Sequence, residues 1–185
     1  MHTSRPKLFT VDEYHRLSDK GILSPDERSE LLDGEILLMA AKKPPHSSIT
    51  QCTADYLTKL LTGIALVRRQ EPVWPNSHSE PEPDIAVVRI DDRRYFAHHP
   101  TPKDIFLLIE VADATLSYDR KKKASAYAKA GIFDYWVIDV KKERVFVLRD
   151  PKGNTYQQEV VYGKASVLNP ISLPDTQLIL ANFFP

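Results

Sequence analysis

The chain has 185 residues, 42% of them hydrophobic, and its 25 basic and 25 acidic side chains give a formal net charge of zero. This length and apolar content are enough for one compact core, so we expect a single domain over residues 1–185, and the balanced charge gives no global signal for a nucleic-acid partner. The single Cys52 excludes an intrachain disulfide, and the lack of a secretion signal or a run of about 18 apolar residues predicts a cytoplasmic protein without a membrane span.

The first predicted elements are a short helix and a hairpin. Thr10 followed by Glu13 has the spacing of a capping box, in which each side chain bonds the backbone N–H of the other, so a helix is expected to begin there. The segment 30–39 is predicted to form a hairpin, because Asp33-Gly34 is a pair that tight turns between strands favour.

A longer helix is predicted from about His46 to Leu61, ending at Gly63, with a strand over residues 65–70 after it. Its apolar residues recur at helical spacing and predict a stripe that packs in the core. They are Ile49, Cys52, Tyr56, Leu57, Leu60 and Leu61. Since Cys52 lies in this stripe, it is expected to be a packed thiol rather than a nucleophile.

Two apolar strands come next, and each carries one acid. Asp84 directly precedes the run 85–88, and Glu110 lies near the end of the run that starts at Ile105. A carboxylate in such a strand is costly to bury unless it is paired, hydrogen-bonded or bound to a metal. Taken singly, each acid suits a structural role, Asp84 as a cap after Pro83 and Glu110 as a partner for a lysine.

The last predicted elements are a lysine-rich helix ending near Gly131, a strand over residues 135–140, and a carboxy-terminal hairpin. The hairpin strands are expected at 144–149 and 156–161, around a turn containing Gly153. Two acids on successive strands, followed by a helix with lysines, are the order expected of a metal-dependent phosphodiesterase site. Oxygen ligands favour Mg²⁺ or Mn²⁺ there. The element order predicts an α/β fold.

Four segments of the chain together resemble the Uma2 family of restriction-endonuclease-like proteins, also called DUF820, within the PD-(D/E)xK nuclease superfamily. They are FTVDEYHRL, SELLDGEI, PEPDIAVV and IEVADATLSYDRKKKASAYAKAGIFDYWVID, which extend over almost the whole chain. The resemblance implies a restriction-endonuclease-like core with a central mixed sheet flanked by helices, plus hairpins near the amino and carboxy termini. It also implies cleavage of nucleic acid, for which we expect DNA.

The resemblance further implies that Asp84 and Glu110 hold Mg²⁺ or Mn²⁺ and that a lysine assists them. In the superfamily that lysine lies two residues after the second acid, on the same strand face, but here Ala112 occupies the position. The matching family position is Lys123 on the following helix, one turn before Tyr127. A basic run on a helix is more often a solvated face, so that alternative stays open.

Four more residues are candidates to complete this implied site: Glu30, His46, Gln70 and Tyr127. Glu30 and His46 match family positions; Glu30 suits either a third acidic ligand or a strand-end acid, and His46 suits either a contact to phosphate or water or a capping or surface residue. Gln70 ends the strand before Asp84. Tyr127 suits either an orienting hydroxyl or a core aromatic.

The sequence therefore predicts a metal-dependent endonuclease. The competing interpretation is a nucleic-acid-binding or structural protein that retains the fold without cutting. Local basic clusters at 93–94 and 120–123 are candidates for DNA contacts. Cutting both strands of a duplex would favour a twofold homodimer.

Overall fold

The protein's computed structural model describes residues 5–24 and 26–185. The α-helical segments are Val11–Asp19 (α1), Pro44–Leu60 (α2), Leu116–Tyr118 (α3) and Ala124–Lys129 (α4), with a π-helical segment, Asp119–Lys123, between the last two. The strands are Ser29–Leu32 (β1), Glu35–Leu38 (β2), Leu66–Arg69 (β3), Ile85–Val88 (β4), Ile105–Ala112 (β5), Asp134–Asp139 (β6), Arg144–Lys152 (β7), Thr155–Gly163 (β8), Val167–Leu168 (β9) and Leu178–Ile179 (β10). Within the described ranges no helix combines the length and apolarity needed to cross a bilayer.

The central sheet has six strands in the order β3-β4-β5-β6-β7-β8. Its only parallel pair is β5 with β6, and the other neighbouring strands run antiparallel. A parallel pair needs a crossover connection, which the helical segment 116–129 supplies here. The predicted α/β fold with a central mixed sheet flanked by helices is confirmed, and the carboxy-terminal hairpin β7-β8 extends that sheet.

Helices cover both faces of the sheet because its inner strands are apolar on both sides. On one face, Ile109 and Val111 of β5 pack in a cluster with α2 and the carboxy-terminal segment. On the other face, Leu108 and Ala112 pack in a cluster with α4. Successive strand residues alternate between faces, so Glu110 projects toward α4.

The boundaries of the early elements follow their local chemistry. The Thr10 hydroxyl accepts the Glu13 N–H at 3.2 Å, and Glu13 Oε2 accepts the Thr10 N–H at 3.0 Å, so the predicted capping box is present. The long helix begins at Pro44 rather than at His46, because proline needs no hydrogen-bonded N–H in the first helical turn.

The lysine-rich helix is not a uniform α-helix. Residues 119–123 form a π-helical stretch between α3 and α4, and both ends of this stretch, Asp119 and Lys123, are buried. Such single-turn π segments rotate the following residues relative to an α-helix and are frequent at functional sites. Here the segment turns Asp119 and Lys123 inward, while the three basic residues between them face outward or lie partly exposed.

The apolar stripe predicted for α2 is confirmed only in part. Ile49, Leu57 and Leu61 are buried, but Leu60 is 37% exposed, so its assignment to the core is wrong. The small residues Thr53 and Ala54 take the inner face instead. The Thr53 hydroxyl donates to the Phe183 carbonyl of the carboxy-terminal segment at 3.4 Å, and Ala54 packs in the core cluster with the sheet, so the helix face that carries these two residues is the inner one.

We expect Leu57→Ala to lower the free energy of unfolding by about 2 to 5 kcal/mol, because it leaves a cavity at a fully buried position. Leu60→Ala removes an exposed side chain one turn along the same helix, so it should lower the free energy of unfolding by much less, about 0.5 kcal/mol. Urea unfolding followed by circular dichroism measures both. Equal losses in the two variants would contradict the orientation of α2.

Candidate active site

A cleft of about 430 Å³ opens where β5 ends and β4 begins. Six carboxylates line it: Glu30, Glu82, Asp84, Glu110, Asp113 and Asp119. Four basic side chains line it as well: Lys42, Lys43, His46 and Lys123. A chain with no net charge thus gathers a local excess of acids in one concave site.

The sheet register brings the two predicted metal ligands together. In the antiparallel pair β4-β5, Ile85 lies opposite Ile109, so one further step places Asp84 opposite Glu110. Asp84 Oδ2 also accepts the Val111 N–H at 2.9 Å, which ties the carboxylate to β5 directly. Both acids are buried, with 7% and 3% of their surface exposed.

Asp84 is held by side chains from two other elements. His46 Nε2 lies 3.0 Å from Asp84 Oδ2, and the Gln70 amide donates to Oδ1 at 3.1 Å. The Gln70 backbone has a φ of 56° and its N–H donates to the Asp84 carbonyl at 3.1 Å. Burial opposes ionisation, but the bonds from His46, the Val111 N–H and Gln70 hold the pKa of Asp84 below its usual value.

The side chains that contact Glu110 come from the helical segment packed on the same face of the sheet. Lys123 Nζ and the Tyr127 hydroxyl each donate to Glu110 Oε1 at 3.0 Å, as their spacing of one helical turn allows. Lys123 Nζ also lies 3.3 Å from Glu30 Oε2 on β1. The structure therefore forms two groups of directly contacting side chains, one around Asp84 with His46 and one around Glu110 with Lys123 and Tyr127.

Gln70 and Glu30, the remaining two predicted site residues, belong to the same two groups. Gln70 contacts Asp84, and Glu30 contacts Lys123 as described above. Glu30 Oε2 also accepts the Glu82 N–H at 3.2 Å, so it links the first hairpin to the segment before Asp84. All seven predicted site residues thus surround one place, where β1, β4, β5 and the helical segments meet.

Ala112 shows why the lysine reaches the site from a helix. It lies two residues after Glu110 on the same strand face and is 1% exposed. Its methyl group packs in the same cluster as Ala124 and Tyr127. The two alanines let the helical segment lie close to β5, and Lys123 reaches the Glu110 carboxylate from that segment.

Burial and mutual charge determine the protonation of this group. Burial raises the pKa of Glu110 above its ordinary value, while the Lys123 ammonium 3.0 Å away opposes that rise and the other cleft acids add to it. Burial alone would lower the pKa of Lys123, but the surrounding carboxylates raise it above its ordinary value. Lys123 is therefore protonated in this arrangement and can donate hydrogen bonds to the carboxylates around it.

Three other basic residues of the predicted helix, Arg120, Lys122 and Lys129, have partners outside the cleft. The Arg120 guanidinium lies 4.0 Å from the centre of an aromatic ring on β7 and pairs with an acid of β8. Lys122 pairs with Glu35 at 3.0 Å, and Lys129 pairs with Asp33 at 3.3 Å. These contacts join the helix to neighbouring strands, as expected for a solvated basic face.

Sequence reasoning missed several cleft residues, of which Asp119, Lys42 and Tyr118 matter most. Asp119 is 4% exposed, accepts the Thr115 hydroxyl at 2.5 Å, and has a pKa raised to about 6 by burial. Its position four residues after Thr115 and four before Lys123 was the available signal, hidden by the charged run around it. Lys42 and Tyr118 also line the cleft, and neither carries a recognisable pattern.

The donor set is compatible with a divalent ion held by two carboxylates. Among residues 5–24 and 26–185, no group of three or more His, Cys, Asp or Glu side chains is arranged to hold a metal. Mg²⁺ commonly takes only one or two carboxylates and completes its shell with water and substrate oxygens. Both hydrogen bonds that Glu110 accepts from described side chains use Oε1, so Oε2 is available beside Asp84.

Comparison with known proteins gives one family and one fold. Residues 11–181 match the family model described as "Uma2: Putative restriction endonuclease". The structure is similar to the "crystal structure of a putative nuclease belonging to DUF820 from Anabaena variabilis ATCC 29413", with a TM-score of 0.72 and 20% sequence identity over 95% of this chain and 97% of that chain. At this identity the likeness concerns the fold. No curated protein matches the chain.

We expect Lys123→Met to lower the free energy of unfolding by about 3 to 5 kcal/mol, because it leaves Glu110 and Glu30 buried without their shared cation. Lys122→Met removes only an exposed pair and should change it by less than about 1 kcal/mol. Urea unfolding in the presence of chelator measures both variants. A Lys123 variant as stable as the parent would show that the carboxylates do not depend on this ammonium.

Proposed function

The chain belongs to the Uma2 family, and on that premise we propose that it is a metal-dependent endonuclease that hydrolyses phosphodiester bonds in DNA. The observation that carries the proposal is the convergence of Asp84 and Glu110 on one face of the sheet, with Lys123 Nζ 3.0 Å from Glu110. A protein that used these residues only for stability would not need to gather four further acids in the same cleft.

Asp84 and Glu110 are the residues that would hold the metal, either Mg²⁺ or Mn²⁺. When bound, such an ion neutralises charge on the scissile phosphate and makes a water molecule more acidic. The bonds from His46, Gln70 and the Val111 N–H keep Asp84 ionised and oriented for this role. These partners come from α2, the end of β3 and β5, so the carboxylate is held from three sides.

Lys123 and Tyr127 act on the Glu110 side of the cleft. Tyr127 donates to Glu110 Oε1 and orients the carboxylate, leaving Oε2 for a ligand. The protonated Lys123 can donate to an attacking water or to a phosphate oxygen as negative charge develops there. In the reaction the water oxygen adds to phosphorus, the phosphorus–oxygen ester bond breaks, and the departing oxygen takes up a proton.

DNA as the substrate and a homodimer as the active form are parts of the same proposal. A nuclease family implies a nucleic-acid substrate, and the open cleft can receive a backbone phosphate. Two copies related by a twofold axis would place one cleft on each strand of a duplex. The cleavage products distinguish a monomer from a dimer, because a monomer acting alone nicks one strand at a time, whereas a twofold dimer cuts both strands together.

The decisive experiment is a cleavage assay on supercoiled plasmid, linear duplex, single-stranded DNA and RNA. Each substrate is incubated with the purified protein in Mg²⁺, in Mn²⁺ and in chelator. We expect cleavage of DNA with either ion and none in chelator. Binding without cleavage under all conditions would favour the competing function, a nucleic-acid-binding protein that retains the fold.

We expect Asp84→Asn and Glu110→Gln each to reduce metal-dependent cleavage by at least roughly 100-fold, because the ion contributes several kcal/mol of charge stabilisation. Both variants should also weaken Mg²⁺ binding measured by calorimetry. Glu35→Gln, an exposed acid on β2, is the matched control and should behave like the parent. Unchanged Mg²⁺ binding in both site variants would exclude a shared metal site.

We expect Lys123→Ala to lower single-turnover cleavage by ~100-fold or more with little change in DNA affinity, since its charge acts on the transition state. Lys121→Ala and Lys122→Ala should instead weaken binding modestly and in a salt-dependent manner. Rates are compared at saturating metal and corrected for the folded fraction of each variant. Normal cleavage by the Lys123 variant, together with loss of cleavage in the Lys121 or Lys122 variant, would assign the catalytic lysine to that neighbouring position instead.

A further inference from the structure

Two polar atoms in the cleft have no role in the contacts described above. Lys42 Nζ and the Tyr118 hydroxyl are both shielded from solvent, and neither has a hydrogen-bond partner among the described residues. Both side chains line the cleft that contains Asp84 and Glu110. Shielded polar groups are nearly always hydrogen-bonded, because leaving one unpaired costs free energy. Two such atoms in one cavity therefore indicate a missing partner.

The acids nearest to Lys42 are already engaged elsewhere. Glu82 pairs with Arg28, and Asp84 accepts from His46, Gln70 and a backbone N–H. These pairings leave the Lys42 ammonium close to negative charge without a bond to any of it. Its position is thus set by the chain around it, in the short segment between β2 and α2, rather than by an ion pair.

The chemistry of the two groups defines what they bind. A lysine ammonium only donates hydrogen bonds. Burial raises the pKa of Tyr118 to about 12, so its hydroxyl keeps its proton at neutral pH and is also a donor. A ligand that satisfies both must present acceptor oxygens, and a charged acceptor gains most from the ammonium.

The start of α2 adds a third source of positive potential. This 17-residue helix begins at Pro44, directly after Lys42 and Lys43, and no side chain caps its first turn. Helix amino termini attract anions through the helix dipole, and because Pro44 and Pro45 have no N–H, the dipole rather than a set of free N–H groups supplies the attraction at this end. Lys43 and His46 at this end line the same cleft as Lys42 and Tyr118.

We propose that Lys42 and Tyr118 form a phosphate-binding subsite that holds a non-bridging oxygen of the nucleic-acid backbone next to the linkage that is cut. This inference rests on the proposed function, and it deepens it by dividing the cleft in two. The acidic side receives the cation, and the donor side receives the anionic backbone. Lys42 and Tyr118 are therefore binding and positioning residues, distinct from the Glu110–Lys123 pair.

The test measures binding separately from cleavage. Fluorescence anisotropy with a labelled DNA duplex and with its single strand is recorded in chelator and in Ca²⁺, over a series of salt concentrations. The variants are Lys42→Met, which keeps the length of the side chain, and Tyr118→Phe, which removes only the hydroxyl. Lys152→Met, on the β7-β8 hairpin outside the cleft, is the matched control.

We expect Lys42→Met to weaken duplex binding by about 10-fold at low salt and to reduce the slope of log affinity against log salt by ~0.9, the loss of one phosphate contact. Tyr118→Phe should weaken binding by about 10-fold with an unchanged slope, because it removes a hydrogen bond to a charged group and no charge. Lys152→Met should match the parent in both affinity and slope.

Thermal unfolding without nucleic acid separates ligand binding from a structural role. Lys42→Met removes a shielded, unpaired ammonium, so we expect a melting temperature equal to or above that of the parent. A lower melting temperature with unchanged DNA affinity would assign Lys42 to the fold and overturn the subsite. Affinity and salt slope equal to the parent in both cleft variants would overturn it as well.

The same measurements distinguish this inference from the proposed function. A parent that cleaves DNA, with variants that bind normally, would leave the nuclease and remove the subsite. A parent that binds DNA through Lys42 and Tyr118 but cleaves nothing in Mg²⁺ or Mn²⁺ would keep the subsite and remove the nuclease. A parent that binds neither probe in chelator or Ca²⁺ would overturn both.

Discussion

The buried contact between the Lys123 ammonium and the Glu110 carboxylate is the constraint on which the site depends. The two groups are 3.0 Å apart, and each side chain is less than a tenth exposed. Removing two charges from water costs several kcal/mol per ion, so the pair needs every additional bond it can form. Tyr127 and Glu30 supply those bonds, and as a result the helical segment 116–129, β5 and β1 must all meet at this place.

The same constraint contributes to how the first hairpin is held. β1 and β2 form a two-stranded sheet separate from the central one, and such hairpins are marginally stable alone. Glu30 attaches β1 to Lys123, and its carboxylate also accepts the Glu82 N–H. Pairs from β2 and its turn to Lys122 and Lys129 add exposed contacts with the helix. Backbone bonds between Leu31 and Glu80 and the burial of Leu31 and Leu32 also hold the hairpin, so the site charges add to contacts that already make it one wall of the cleft.

Much of the site could be predicted from local spacing and from the family resemblance. Alternation along β5 places Glu110 and Ala112 on one face, and one helical turn separates Lys123 from Tyr127. These relations span a few residues each, so the sequence contains them directly. Pairing over longer distances was less accessible: Asp119 lies in a charged run that suggests a solvated face, yet it is 4% exposed. The π-helical segment, which turns Asp119 toward the cleft, decides that burial.

By itself, the sequence determined the order of helices and strands, the capping box at Thr10, and the presence of two acids and a helical lysine, because periodicity and capping act within one or two turns of chain. The tertiary structure alone decided which way α2 faces, leaving Leu60 exposed, since Thr53 and Ala54 contact the sheet and the carboxy-terminal segment, which lie far along the chain. It also decided that Lys42 lies shielded in the cleft without a partner. Contacts between distant segments depend on shape and desolvation, which no local pattern records.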